Sequence, residues 1–464
     1  MKQALDCSLL KGHQNRDKEE ELSRPGLSTP RVAVTTLGCK VNSFESALIT
    51  EALNNQALTP GKDGRSKVHI INTCTVTHEA DRQARQAVRR VVRENPDAVV
   101  IVTGCYAQLK PQECASIPGV DLVVGNDKKL ELDALLPSLL DGNLPSIMVG
   151  DPDGGTSLPK RLLSGFENKS RAFLQVQQGC DQRCTFCVIH RARGRSQSQP
   201  CQQVLEQARR LVENGFRELV VCGVDLGSYG GDLRGESGSG LSTLLTKLNA
   251  MEGDFRLRLS SLDPVHLNAE VVDLIAGSER LCPHVHLSIQ SASTLILKRM
   301  KRRYDRDLLY ERVAYLYKKI PDVVISADLM AGFPTETESD FQQTLEAVRD
   351  LGLAYPHVFS FSARSGTPAS RIANQVVVDE RKRRSRRLRA AGEEVRHHLL
   401  SSRIGASRRV IIEGGGHAPA GYQRARTAEY LPVFVPLGDK KSGSWMNVQI
   451  SGVKDQTLIG VAAD

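Results

Sequence analysis

The chain has 464 residues, of which 40% are hydrophobic and 25% charged, a length and balance that predict a globular protein of two or three domains and exclude a fibrous or low-complexity one. No stretch approaches the roughly 18 apolar residues of a membrane span, and the polar opening MKQALDCSLLKGHQNRDKEEE has no apolar signal core, so the expected compartment is the cytoplasm. There, eleven cysteines read as metal ligands or buried thiols rather than disulfides, and a net charge of +9 fits a polyanionic partner such as nucleic acid.

In chain order, residues 1–29 are polar, end in SRPGLSTP and read as a disordered leader. Across 30–142, apolar runs alternate with helical stretches: RVAVTTLGC, a helix from Ser43 to Asn54, KVHIINTC, a helix from Ala80 to Arg93, AVVIVTGC, then DLVVG. That alternation predicts parallel strands joined by crossover helices, a doubly wound α/β domain. Residues 143–165, with GDPDGGTSLPK, read as a linker.

A second α/β series fills 166–396, with strands at 172–178, 218–223, 255–261, 284–289, 322–330 and 357–361. Six βα units fall two short of a closed eightfold barrel, so the expectation is a partial (β/α) barrel with its chemistry at the carboxyl ends of the strands. The basic stretch 381–400 reads as a helix, and 397–464, with short alternating strands and glycine turns, as a small all-β barrel.

Cysteines carry the chemistry. GCDQRCTFC places Cys180, Cys184 and Cys187 just after the first barrel strand, with gaps of three and two residues. Three thiolates can hold a four-iron cluster with one iron open, and that iron can be chelated by an amino group and a neighbouring carboxylate. Structural zinc with His190 as fourth ligand is the alternative. Cys39, Cys74 and Cys105 each end an apolar strand of the first domain, and parallel strands bring their carboxyl ends to one edge, so these thiols should converge too. Cys7, Cys114, Cys201, Cys222 and Cys282 lack such company and read as structural.

CxxxCxxC with Phe186 before the last cysteine, on a partial barrel, resembles the radical S-adenosylmethionine enzymes. With the second triad, and with GCKVN (38–42), INTCTVT (71–77), TGCYAQ (103–108), GVDLGSYG (223–230), HLSIQSAS (286–293), DLMAGFPTET (328–337) and FSFSARSGTPA (359–369), the chain from Arg31 onward resembles the methylthiotransferases. GCKVN and INTCTVT are most similar to the branch that modifies threonylcarbamoyladenosine beside the tRNA anticodon. Departures from the family pattern fall at His190, Ala292 and Thr335.

The resemblance implies two [4Fe-4S] clusters, on Cys39, Cys74 and Cys105 and on Cys180, Cys184 and Cys187, with S-adenosylmethionine as cofactor. The first would handle sulfur and receive a methyl group; the second would cleave S-adenosylmethionine to a radical that activates carbon two of the adenine. It further implies cofactor contacts from Gly223, Asp225, Ser288, Gln290, Asp328, Met330 and Gly332, and a terminal RNA-binding barrel of the TRAM type. Arg403, Arg408, Arg409, Arg424 and Arg426 are its expected RNA contacts; Arg191, Arg193 and Arg195 are expected either at substrate phosphate or cofactor carboxylate, or on a solvated face. Expected partners are tRNA and an electron donor such as flavodoxin or ferredoxin, with the chain a monomer. Isopentenyladenosine or a ribosomal-protein side chain is the alternative substrate, and a noncatalytic RNA-binding protein with structural metals the alternative class.

Overall fold

The computed structural model describes residues 32–54, 66–154, 158–159, 161–167, 169–233 and 240–463; the expected leader, Cys7 and parts of the linker lie outside the described residues. In the first domain the order is β1 (Val32–Thr36), α1 (Lys40–Asn54), β2 (Val68–Thr73), α2 (His78–Glu94), β3 (Val99–Gly104), α3 (Cys105–Leu109), α4 (Pro111–Ala115), β4 (Leu122–Val124), α5 (Leu132–Leu140) and β5 (Ile147–Met148). All five strands pair in parallel in the order β1-β2-β3-β4-β5. Successive residues point to opposite faces. Ile70 and Ile101 pack with Ile49 and Leu53 of α1 and Leu132 and Leu136 of α5, while Ile71, Val100 and Val102 pack with Ala84 and Val88 of α2. Both faces are buried, which is why these strands read as continuous apolar runs.

The second domain runs β6 (Ala172–Gln175), β7 (Gln177–Gln178), α6 (Ile189–Arg193), β8 (Gln197–Ser198), α7 (Cys201–Glu213), β9 (Glu218–Cys222), α8 (Leu241–Asn249), β10 (Arg256–Leu259), β11 (Ser261–Leu262), α9 (Ala269–Ala276), β12 (His284–Gln290), α10 (Thr294–Arg299), α11 (Arg306–Lys319), β13 (Val324–Ala331), α12 (Glu338–Asp350), β14 (Leu353–Ser360) and α13 (Val378–Ser401). Two parallel sheets, β10-β9-β6 and β11-β12-β13-β14, meet where the third predicted strand breaks at Ser260 to change partners from β9 to β12. The first predicted strand also breaks, at Val176, where β7 leaves to pair with antiparallel β8. Leu219, Val221, Leu257, Leu287, Ala327 and Leu329 face the helices in one large core, and the alternate residues line the inside of the partial barrel. β14 starts four residues before the predicted strand; it is an edge strand, paired only with β13, where Pro356 does not break a ladder.

β15 (Ser407–Ile412), β16 (Tyr422–Arg426), β17 (Pro432–Pro436), β18 (Trp445–Lys454) and β19 (Thr457–Ala462) form a closed barrel around Val410, Ile412, Val433, Val435, Val448, Ile450 and Leu458. It caps the end of the partial barrel where the strands begin. Glu218 accepts from Arg256 (2.7 Å) and Arg258 (2.7 Å), and these arginines donate to the carbonyls of Thr427 (3.1 Å) and Ala428 (2.8 Å) in the β16–β17 turn. From that turn the Tyr430 ring stacks on His284, with centroids 4.8 Å apart. No helix of the described residues is long and apolar enough to cross a membrane.

Candidate active site

The end opposite that cap carries the Cys180 loop. Cys180 N donates to Gly194 O (3.1 Å), Thr185 N to Met300 O (3.1 Å), and Ala369 N to Thr185 O (2.9 Å), so three separate segments pin the loop. Gln182 N approaches Cys180 Sγ and Ile189 N approaches Cys187 Sγ, each at 3.4 Å, while Arg302 Nη1 lies 3.6 Å from Cys184 Sγ. These donors favour thiolates and tune whatever the sulfurs bind. Burial pushes the Cys187 thiol up to about 11, the opposite of what a bound metal does to a coordinating thiol.

The second triad gathers at the carboxyl edge of the first sheet. Cys39 follows β1 and is exposed, Cys74 follows β2 and is half-buried, and Cys105 opens α3 and is buried. Gly38 adopts φ +99°, and a Cβ there would lie 2.6 Å from Cys74 Cβ and 2.9 Å from Cys74 Sγ. Only glycine lets the Cys39 loop pass so close. Burial, then the neighbouring Cys105 and Cys39, push the Cys74 thiol up to about 12.

Sulfur spacing separates a cluster from a single ion. Tetrahedral zinc with Zn–S bonds of about 2.3 Å needs sulfurs about 3.8 Å apart. Among the described residues, the His, Cys, Asp and Glu trio with ligand atoms all within 4.8 Å of one another is His286, Asp328 and His357, and neither cysteine triad is drawn that tight. His190 does not join the Cys180 group either. Three thiols in each set are the protein ligands that a four-iron cluster with one open iron takes. The two triads are bridged: Asn126 Nδ2 lies 3.8 Å from Cys105 Sγ and donates to Ala192 O (2.6 Å) in α6, the helix that follows Cys187.

Between them opens the mouth of the partial barrel. Asp225, after β9, places Oδ2 3.8 Å from Cys180 Sγ and accepts from Gln182 (3.0 Å) and Ser228 (2.8 Å). Gly223 packs beside Gln177, whose Oε1 accepts from Asp225 N (2.9 Å). Ser288 and Gln290 end β12, Asp328 and Met330 lie in the last turns of β13, and Gly332 follows it. Gln290 has φ +64°, at the register shift between β12 and β13. Asp328 accepts from both His286 (3.2 Å) and His357 (3.5 Å), and these hydrogen bonds outweigh burial to hold its carboxyl well below the usual range. Of the departures from the family pattern, Thr335 sits at φ +69° with its hydroxyl oxygen accepting from Arg299 (2.5 Å), and Ala292 N donates to Thr344 Oγ1 (3.0 Å).

The five arginines expected at RNA are all engaged with acids: Arg403 with Asp322 (2.5 Å), Arg408 with Glu429 (2.5 Å), Arg409 with Asp254 (2.8 Å), and Arg424 (4.0 Å) and Arg426 (2.7 Å) with Glu413. Several dock the small barrel on the core. Arg409, 51% exposed and stacked 4.1 Å from the Trp445 ring, and Arg424, 36% exposed, remain most open to solvent. Arg191 donates to Ser365 O (3.1 Å), Arg195 is exposed, and Arg193 is buried against Glu45.

Sequence reasoning missed three features. His286 and His357, from the strands on either side of the expected Asp328, were not foreseen, and only the alternating His-Val-His of β12 hinted at a lined interior. Arg302 belongs to a basic run, KRMKRR, yet turns inward to Asp263 (2.8 Å) and Cys184. Lys40, beside Cys39, is half-buried and close enough to Cys222, His284 and Tyr430, inside the partial barrel, for its charge to act on them.

Residues 174–348 match the Radical SAM superfamily, and residues 31–125 match a family described as uncharacterized protein family UPF0004. The chain is 39% identical over 403 residues to threonylcarbamoyladenosine tRNA methylthiotransferase MtaB of Rickettsia prowazekii, covering 87% of this chain and 91% of that one. It is 37% identical to the protein of the same name from Thermotoga maritima, covering 93% and 97%. Among solved structures, the radical S-adenosylmethionine methyltransferase TsrM from Kitasatospora setae superposes with a TM-score of 0.55 at 15% identity, over 73% of this chain and 77% of that one, a likeness of fold alone. With two cysteine triads facing one barrel mouth, a terminal closed β-barrel and identity sustained over nearly the whole chain, the protein belongs to the methylthiotransferase family of radical S-adenosylmethionine enzymes.

Proposed function

We propose that the chain adds a methylthio group to carbon two of threonylcarbamoyladenosine next to the anticodon of tRNA. The observation that carries this reading is the pair of cysteine triads at the carboxyl ends of two parallel sheets, bridged through Asn126, in a chain whose relatives bear that name. When bound, the clusters and S-adenosylmethionine supply one-electron chemistry able to remove hydrogen from an unactivated carbon, together with the sulfur and methyl group that replace it.

The chain's own residues hold and orient. Cys180, Cys184 and Cys187 ligate the cluster that engages S-adenosylmethionine, with Asp225 beside Cys180 placed to accept from the cofactor's amino group. Gly223, Ser288, Gln290, Met330 and Gly332 line the rest of that cofactor site, and Asp328, held by two imidazoles, presents a fixed charge within it. Cys39, Cys74 and Cys105 ligate the sulfur-handling cluster. Lys40, whose charge enters the barrel, meets the carboxylate that a threonylcarbamoyl group carries and an isopentenyl group lacks. The Tyr430 cap closes the far end against water.

Arg403, Arg408, Arg409, Arg424 and Arg426 remain our candidates for the RNA side, led by Arg409 and Arg424 because of their exposure. The partner set under this reading is tRNA and a low-potential donor of the flavodoxin or ferredoxin class, with the chain a cytoplasmic monomer. The test is an anaerobic reaction with two anticodon stem-loops, one bearing threonylcarbamoyladenosine and one isopentenyladenosine, followed by nucleoside mass spectrometry. The methylthio product should form on the first; product on the second alone contradicts the reading.

A further inference from the structure

The buried contact between the first and second domains has an apolar part, Phe44 and Leu48 of α1 against Phe166 and Leu174, and an ionic part. Arg193, in the segment that follows Cys187, donates Nη1 to Glu45 Oε1 (2.8 Å) and Nη2 to Glu45 Oε2 (2.9 Å), a bidentate pair with side chains 2% and 1% exposed. Lys129, also 2% exposed, donates to the same Glu45 at 2.5 Å. Two buried cations therefore share one carboxylate. An unbalanced buried charge is expensive, and structures keep one only where a counter-charge lies near.

The network also touches each loop of the amino-terminal triad. Asn42, which accepts from Arg193 Nη2 (2.5 Å), donates to Leu37 O (2.8 Å) before Cys39 and to Thr73 O (3.0 Å) before Cys74. Asn126, which accepts from Lys129 (2.8 Å), has Nδ2 3.8 Å from Cys105 Sγ and donates to Ala192 O (2.6 Å), back on the Cys187 side. A four-iron core of charge +2 with three thiolates carries one negative charge, the counter-charge that the network lacks.

We propose that Arg193, with Glu45 and Lys129, is a positioning device for the reaction: it fixes the separation of the two cysteine triads and supplies the buried positive charge that balances the amino-terminal cluster. This rests on the two-cluster reading above. Arg193 acts through the clusters and not on substrate, so its guanidinium fork is worth most where the work of one site must reach the other. The same placement explains why a cation follows the Cys180 loop at a position that solvent does not reach.

The test is Arg193→Lys, which keeps the charge and removes the fork, in fully reconstituted enzyme. Iron content should stay at the wild-type level and S-adenosylmethionine should still be cleaved. Product formed per 5′-deoxyadenosine should fall about a hundredfold, the scale of a displacement near 1 Å, and magnetic interaction between the two reduced clusters, read by EPR, should weaken. Asn126→Ala, which keeps every charge in place but cuts the links from Asn126 to Ala192, Lys129 and Cys105, should give a smaller loss of the same kind and carries the test if the lysine variant does not fold. Unchanged product ratio and unchanged spin interaction in a folded, fully loaded variant would overturn the proposal. Failure of the two-cluster reading looks different: replacing Cys180, Cys184 and Cys187 with alanine would then remove all iron, whatever Arg193 does.

Discussion

The two cysteine triads reach the same barrel mouth by opposite routes. Cys180, Cys184 and Cys187 sit on one short loop that carries all three thiols and is pinned within its own domain by Gly194, Met300, Ala369 and Arg302, so the ligand set is complete within one segment. Cys39, Cys74 and Cys105 come from three strand ends, are assembled by the parallel sheet, and rely on a buried ionic network anchored in the other domain. A local site tolerates distant change; a dispersed one inherits every displacement of the sheet and of its neighbour. That difference predicts which substitutions remove chemistry and which only misalign it.

The largest effect should come from the local triad. Replacing Cys180, Cys184 and Cys187 with alanine should abolish both S-adenosylmethionine cleavage and methylthio product while bound iron, measured per chain, falls by half. Next is Glu45→Gln, which leaves Arg193 and Lys129 buried without their shared partner; removing one member of a buried pair costs about 3–5 kcal/mol. Denaturant unfolding of the first two domains should register that loss, and the variant should lose amino-terminal iron before the other cluster.

Lys40→Met should lower turnover on the threonylcarbamoyladenosine stem-loop by about tenfold to a hundredfold, the range for losing a hydrogen bond to a charged group, with iron content unchanged. Equal loss on an uncharged substrate would make Lys40 part of the cluster site instead. Arg409→Ala and Arg424→Ala should each flatten the dependence of log tRNA affinity on log salt by about 0.9 for every phosphate contact removed. Deleting the small barrel is a poorer test, since it would uncover Glu218, Arg256 and Arg258.

The smallest effect concerns pH. Burial alone would raise the Glu45 carboxyl, but Arg193 and Lys129 outweigh it and hold it at about 2, down from 4.5. A depressed carboxyl contributes stability that is fully present above its unfolded value and is lost as pH falls through the folded one. Acid unfolding of wild type should therefore steepen between 4.5 and about 2, and that component should be missing in Glu45→Gln.

How much of this was legible in the sequence follows the same division. Spacing alone exposed the Cys180 triad, and the phase of three apolar runs exposed Cys39, Cys74 and Cys105, because strand ends in a parallel sheet share an edge. The ionic network was not legible: Arg193 stands in the run RARGR, where Arg191 and Arg195 face outward, and its partner Glu45 is 148 residues away. Nothing local marks the middle arginine as buried. The strand breaks at Val176 and Ser260 were hidden for a related reason, since nothing local in AFLQVQQ or FRLRLSS shows which strand each half will pair with. The terminal arginines read as an RNA face because composition cannot show that Asp254, Asp322 and Glu413 would meet them.

The most direct test of the account is one anaerobic reaction with the Cys39→Ala, Cys74→Ala, Cys105→Ala variant, in which 5′-deoxyadenosine and methylthio nucleoside are quantified together by mass spectrometry. Two sites with separate work predict continued formation of 5′-deoxyadenosine at half the wild-type iron content and no methylthio nucleoside. Methylthio nucleoside at the wild-type level, or loss of 5′-deoxyadenosine together with all bound iron, would contradict it.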